Sequence, residues 1–267
     1  MRLKVGSPCS PGQRLELRID WNEGEPAHLP PPNPRGRPAQ KDSGGYLMAV
    51  TQQATQRTTS ALPKGPYKVH DFSNLKGLTG ISDTQIEVHL KLYEGYVNNT
   101  NLLTEHLWKL IKDGQQGTPE YAEVTRRLGF EYDGMIFHEY YFGNLTGGAK
   151  QLDPNSAVGK AIAGSFGDVD TWMKDFRALG SMRGIGWVIT FQDPVTGWLS
   201  NFWVGEHQNG VPGGFKPLLV MDVWEHAFMV DYKPAEKGKY IDAFFQNVAW
   251  QAVEQRLQSQ AATRPVG

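Results

Sequence analysis

From residue 82 onward the apolar positions fall into a helical period. In "SDTQIEVHLKLYEGYVNNTNLLTEHLWKLIKDG", Ile86, Leu90, Tyr93 and Val97 recur at spacings of three and four, and Leu103, Leu107 and Leu110 continue the stripe. Ser82 is placed to cap the first turn, Gln85 three residues later completes a capping box, and Gly114 ends the helix. "TPEYAEVTRRLG" predicts a short helix opened by Thr118 and Pro119, and "EYDGMIFHEYYFGNL" a separate, mostly apolar one. "SAVGKAIAGSFGDVDTWMKDFRALGSMRG" reads as two more helices. Then the period shifts to that of strands. "GWVITFQ", the turn "DPVTG" and "WLSNFWVGE" predict strand, turn, strand, and "KPLLVMDVW" a third strand. "GKYIDAFFQNVAWQAVEQRLQSQ" closes the pattern as one amphipathic helix. Helices, three strands and a final helix make an α+β chain, in two layers or two small domains, with no internal repeat.

Residues 1–66 break this pattern, holding ten of the seventeen prolines, including the run "LPPPNPRGRP". Such a stretch cannot sustain helix or sheet ladders and is expected to be disordered or extended. Met48 is an alternative start, so residues 1–47 are read either as upstream sequence or as a genuine flexible tail. The 267-residue chain carries a formal charge of −1, which gives no signal for nucleic acid or an anionic membrane. No apolar run approaches the roughly 20 residues that span a bilayer. The acidic Glu16, Asp20, Glu23 and Glu25 do not suit a targeting leader, so the expected location is the cytoplasm. Cys9 is the sole cysteine, which excludes an intrachain disulfide.

Chemistry concentrates in the histidines. His28 and His70 lie in proline-rich or linker sequence, and His106 sits among polar neighbours. His89 lies beside the apolar stripe of the first helix, His138 lies within "MIFHEYYFG", and His226 follows the apolar run "PLLVM" by five residues, with Asp222 between them. Taken singly, each is more often a hydrogen-bonded core histidine than a ligand. Together with Asp222, three such histidines point to a shared metal, since buried charge is costly unless paired or metal-bound. Imidazole and carboxylate donors without thiolate suit iron, manganese or zinc.

"DVWEHAFMVDY", Asp222 to Tyr232, resembles the D-x-W-E-H signature of the iron/manganese superoxide dismutase family. "IEVHLKLYEGYVNN", "FHEYYFGNL", "GIGW" and "NVAW" resemble further segments of that family in the same order, from about residue 68 to 258. The resemblance implies an antiparallel helical hairpin domain over residues 67–148 with two ligand histidines. It implies an α/β domain over 149–260 with a three-stranded antiparallel sheet flanked by helices, then a tail over 261–267. It implies one iron or manganese ion per subunit, held by His89, His138, Asp222 and His226, and superoxide as substrate. Tyr96 corresponds to the tyrosine at the substrate funnel, and Trp187 and Trp224 to walls of the metal pocket. Glu225 corresponds to the glutamate that reaches the partner subunit's His226 across a homodimer, or within a tetramer built from it.

Several positions depart from the family pattern. Tyr96 follows His89 by seven residues where the family has eight, which predicts a helix without a π-bulge. A histidine–tyrosine pair across the family's dimer interface is replaced by Tyr93 or Leu92 and by Met229. Gly134 stands where iron enzymes place a glutamine, as in manganese enzymes. The outer-shell group near the metal falls on His207 by counting along the second strand and on Gln208 by residue type. The count favours His207, which leans toward iron or toward use of either metal. Phe142 replaces a tryptophan, and Lys91 is a candidate for steering an anion. Two other functions compete: a metal-free scaffold, which the retained ligand set argues against, and a zinc hydrolase built on Asp222 and His226.

Overall fold

The computed structural model describes residues 64–259. The proline-rich extension apart from residues 64–66, the alternative start at Met48 and the 261–267 tail lie outside the described residues.

Helix α1 (Asp83–Lys112) starts where its cap was expected, with Ser82 Oγ accepting from the Gln85 N–H at 3.0 Å. The reciprocal half of the capping box does not form. The Ser82 N–H donates to Asp231 Oδ2 at 2.7 Å, and the Gln85 side chain bonds elsewhere. Every residue from 83 to 112 is α-helical, so no π-turn interrupts the segment between His89 and Tyr96.

Helix α2 (Pro119–Phe142) is one helix where the sequence pattern predicts two. Gly129 was the expected break. A mid-helix glycine costs only about 1 kcal/mol relative to alanine. The buried positions of α2, from Val124 through Glu131, Gly134 and Met135 to His138 and Tyr141, continue across that break against α1. Packing of a continuous face outweighs the local signal.

Helices α3 (Ala157–Phe166) and α4 (Val169–Gly180) are capped by Ser156 and Asp168. The antiparallel sheet follows, with strands β1 (Gly186–Gln192), β2 (Leu199–Gly205) and β3 (Lys216–Asp222) in the order β2-β1-β3. Six of the seven β1 residues are buried, as suits a central strand covered on both faces. Its register sets Trp187 beside Asp222 of β3 and Val204 of β2. At Gly186 a Cβ would lie 2.1 Å from the Val204 carbonyl oxygen, so the strand start requires glycine. Hairpin residues such as Ile86, Tyr93 and Phe142 share one hydrophobic core with Trp187 and Val220 of the sheet.

The closing segment is two helices rather than one, α5 (Lys237–Gln246) and α6 (Trp250–Gln258). Asn247 causes the break. Its amide donates to the Thr79 and Ala243 carbonyls at 2.8 and 2.7 Å, and its Oδ1 accepts from the Thr79 N–H at 2.8 Å. The Thr146 N–H donates to the Asn247 carbonyl, and the Ala249 N–H to that of Asn144. The break thus stitches the end of α2 to the C-terminal helices. Buried Arg256 on α6 donates to Asn144 Oδ1 and to the Leu218 carbonyl, tying the end of α2 to β3. Asn247→Ala removes three fully formed bonds at a buried site, and the expected loss is about 2–3 kcal/mol of unfolding free energy in urea titrations; a loss below about 1 kcal/mol would show that the break is held by other contacts.

Candidate metal centre

Four side chains from four elements meet at one point: His89 from α1, His138 from α2, Asp222 from the end of β3, and His226 from the 3₁₀ turn Glu225–Ala227. Asp222 Oδ2 lies 3.1 Å from His89 Nε2, 3.2 Å from His226 Nε2 and 3.7 Å from His138 Nε2. One donor atom from each of the four lies within 4.8 Å of all the others. His89, His138 and Asp222 are fully buried, and His226 is partly so.

The atoms around these donors decide which lone pairs are free. His138 Nδ1 contacts the Gly134 carbonyl oxygen at 2.6 Å. A carbonyl only accepts, so Nδ1 carries the proton and Nε2 presents a bare lone pair toward Asp222. That Nε2 has no hydrogen-bond partner. Two lone-pair bearers facing each other in a buried site repel unless a cation or a proton lies between them. Burial drives the pKa of His138 well below the ordinary imidazole value and that of His89 below it too, so both present neutral nitrogens. Burial alone would push the Asp222 carboxyl up, but the imidazoles of His226 and His89 reverse this and hold it below the usual carboxylate range. Neutral imidazoles around an ionised carboxylate are the protonation states that a divalent metal requires. This donor set fits iron, manganese or zinc.

The surroundings fix the donors in place. Asp222 Oδ1 accepts from the Trp224 N–H at 2.8 Å, which turns Oδ2 inward. The Asp222 carbonyl accepts from Tyr240 Oη at 2.7 Å. The Gln85 side chain donates to the His226 carbonyl at 2.7 Å and accepts from the Val230 N–H at 3.0 Å, clamping the turn that carries His226. Sequence reasoning read Gln85 only as a cap. The available signal was its position one turn before His89 on the buried face of α1.

A second network lies beside the donors. Trp187 Nε1 donates to His207 Nδ1 at 3.0 Å, and His207 Nε2 lies 2.8 Å from Tyr96 Oη. An indole N–H is only a donor, so Nδ1 is the acceptor and the neutral ring carries its proton on Nε2. The bond to Tyr96 therefore runs from His207 to the phenol oxygen, which leaves the phenol proton free for another acceptor. Burial pushes His207 down to about 4 and raises Tyr96 above its ordinary value, so both are in these forms near neutrality. The Tyr96 ring stacks on His138 at 5.0 Å, and Trp187 meets His138 edge-on at 5.0 Å. Trp224 stacks between His207 at 4.8 Å and His226 at 5.5 Å. Gln208 stands outside this network, with its Oε1 near Gly129. Glu225 is exposed, as are Met229 and Leu92, whereas Tyr93 is buried with its hydroxyl on Glu139. Lys91 is exposed on α1. Gly134 packs directly under Tyr96: a Cβ there would lie 2.6 Å from the ring.

A family model described as the C-terminal domain of iron/manganese superoxide dismutases matches residues 154–256. The chain is 36% identical to a protein of Aquifex pyrophilus named superoxide dismutase [Fe], over 73% of this chain and 93% of that protein. It is 35% identical to the protein of the same name from Aquifex aeolicus over the same shares. It is 33% identical to superoxide dismutase [Mn] 2 of Haloferax volcanii, over 59% of this chain and 77% of that protein.

Two predictions follow from the packing and charge of the centre. Gly134→Ala forces the Tyr96 ring out of contact, at an expected cost of about 1–3 kcal/mol in urea unfolding together with a changed tyrosine fluorescence or ultraviolet difference signal; an unchanged midpoint would mean that the ring yields freely. In the metal-free protein, the folded imidazoles of His89 and His138 resist protonation, whereas in the unfolded chain they take up protons below about pH 6.5. The unfolded state then binds more protons, so stability must fall as pH drops through that value, by at most about 1.4 kcal/mol per pH unit for each imidazole. Asp222, with its lowered pKa, adds loss only below about pH 4. Urea midpoints at about pH 7 and about pH 5 measure this, and a midpoint that holds or rises on acidification contradicts it.

Proposed function

The chain belongs to the iron/manganese superoxide dismutase family, and from that premise we propose that it converts superoxide to dioxygen and hydrogen peroxide using one iron or manganese ion held by His89, His138, Asp222 and His226. The observation that carries this reading is the bare His138 Nε2 aimed at Asp222 Oδ2 inside a buried pocket with two further imidazoles. The ion would supply the one-electron chemistry, accepting an electron from one superoxide and returning it to a second, which leaves as hydrogen peroxide with two protons.

The chain's own residues set the conditions for that exchange. The Gly134 carbonyl fixes the His138 tautomer and the Trp224 N–H fixes the Asp222 carboxylate, so the donors need little rearrangement on binding. Trp187, Trp224 and Phe142 wall the centre with apolar surface and limit water. Tyr96, whose oxygen accepts from His207, keeps its own proton available to the cavity and acts as proton donor to the reduced product. His207 positions that phenol, and Trp187 positions His207. Gln208 has no part in this path.

Assembly completes the centre. His226 Nδ1 makes no hydrogen bond within the chain among the described residues, and the neighbouring Glu225 is exposed beside the apolar Met229 and Val230. A homodimer that brings Glu225 to the partner's His226 satisfies both groups and covers that apolar surface.

The test is superoxide decay by pulse radiolysis on purified protein, with bound iron, manganese and zinc counted on the same sample. Decay that scales with iron or manganese content is the expected result. Stoichiometric zinc with no acceleration, or iron or manganese bound without acceleration, overturns the reading.

A further inference from the structure

We propose that Gln85 is a positioning residue for the metal centre: its carboxamide is inserted into the turn that carries His226 and sets where that imidazole stands relative to Asp222. The inference rests on the reading of the four donors as metal ligands given above. Three of them leave regular elements, His89 from α1, His138 from α2 and Asp222 from β3, so helix and sheet ladders fix their backbone. His226 leaves an irregular segment, the 3₁₀ turn Glu225–Ala227 and the residues that follow it. Its placement depends on what shapes that segment.

The segment is helical on either side of the His226 carbonyl and open at that carbonyl. The Met229 N–H donates to the Glu225 carbonyl at 2.9 Å and the Tyr232 N–H to the Phe228 carbonyl at 2.8 Å, each four residues back as in an α-helix. The matching bond from the Val230 N–H to the His226 carbonyl is replaced by the Gln85 side chain. Its Nε2 donates to the His226 carbonyl at 2.7 Å, and its Oε1 accepts from the Val230 N–H at 3.0 Å. A carbonyl only accepts and an N–H only donates, so the two partners dictate this orientation of the amide. A side chain inserted into an i→i−4 ladder opens the ladder and bends the chain there. Gln85 is 1% exposed, so the insertion is a buried contact and not a surface one.

Gln85 and His89 are four residues apart on α1, so one helix face delivers the first imidazole and spaces the last. Asp222 is held independently, by the Trp224 N–H on Oδ1 and by the Tyr240 hydroxyl on its carbonyl. A tightened turn would therefore move His226 Nε2 against a stationary Asp222 Oδ2, which lies 3.2 Å from it. Docking of the segment on α1 does not depend on the amide. Asp231 Oδ2 accepts from the Ser82 N–H at 2.7 Å, and the Tyr232 hydroxyl donates to the Gly80 carbonyl. Without the amide, the Val230 N–H and the His226 carbonyl are free to pair with each other. The fold then loses little, while the donor shifts.

The test compares the wild type with two variants. Q85M keeps the length of the side chain and removes both hydrogen bonds. D231A removes a docking contact of the same segment and leaves the amide in place. Three quantities are measured on each: the urea midpoint of the metal-free protein, the dissociation constant of manganese by competition with a chelator, and the visible absorption of the cobalt-substituted protein, whose bands report ligand geometry. Q85M is expected to bind manganese about 10- to 100-fold more weakly and to shift the cobalt bands, with a midpoint close to that of the wild type. D231A is expected to lower the midpoint and to keep wild-type manganese affinity and cobalt bands. Wild-type affinity and bands in Q85M overturn the proposal. So do affinity losses in both variants that simply follow their losses of stability, which is what a merely structural contact gives. None of the three readouts needs turnover: a manganese-loaded wild type that does not accelerate superoxide decay removes the dismutase reading, while the contrast between Q85M and D231A still decides this one.

Discussion

One buried carboxylate oxygen organises this molecule. Asp222 Oδ2 faces three imidazole nitrogens at 3.1–3.7 Å, in a pocket where Asp222, His89 and His138 have no solvent exposure. Desolvating an ionised carboxylate costs several kcal/mol, and the bare Nε2 of His138 directed at it adds to that cost. The arrangement makes physical sense with a cation at its centre. Binding of a cation there would be coupled to folding, because the four groups come from α1, α2, β3 and a 3₁₀ turn, and no unfolded chain holds them together.

Much of the remaining architecture serves to hold those four elements in register. The side chain of Gln85 bridges α1 to the His226 turn, and Tyr240 of α5 reaches the Asp222 carbonyl. Arg256 and Asn144 bind the end of α2 to backbone carbonyls of β3. The seven-residue spacing from His89 to Tyr96 belongs to the same scheme. In a regular helix seven residues are nearly two turns, so donor and phenol project from one face without a bulge. Gly134 then leaves room for the Tyr96 ring on the facing helix.

The sequence pattern carried the α+β class, the cap at Ser82, the helix opening at Thr118 and the run of strands, because each is a local signal of periodicity or capping. It failed where distant contacts override local ones. Gly129 reads as a break, yet packing on α1 carries α2 through it. Asn247 sits in what reads as one amphipathic helix, and only its bonds to Thr79, 168 residues away, reveal the interruption. Within the site, the clustering of His89, His138, Asp222 and His226 was legible through resemblance, whereas Gln85 was hidden behind its ordinary reading as part of a cap. Counting along β2 favoured His207 and residue type favoured Gln208; what neither could show is the turn after β2, where Glu206 takes a left-handed conformation (φ 53°). That turn sends His207 inward and leaves Gln208 beside Gly129.

The imidazole at position 207 also changes what the network can do. A side-chain amide has two donor hydrogens and an acceptor, so it can bond a tryptophan, a tyrosine and a third group at once. A neutral imidazole has one donor and one acceptor. Trp187 occupies the acceptor and Tyr96 the donor, so His207 is fully committed. The direction of the chain is then fixed, from indole to imidazole to phenol, and its only uncommitted proton is that of Tyr96. Protonation of His207 would break this order, because the cation cannot accept from Trp187, but burial holds that event down to about pH 4. Arg127 acts on the same ring through Phe130 and adds a further penalty against a second positive charge there. The Arg127 guanidinium thereby helps to hold His207 neutral and the hydrogen-bond chain in its single direction.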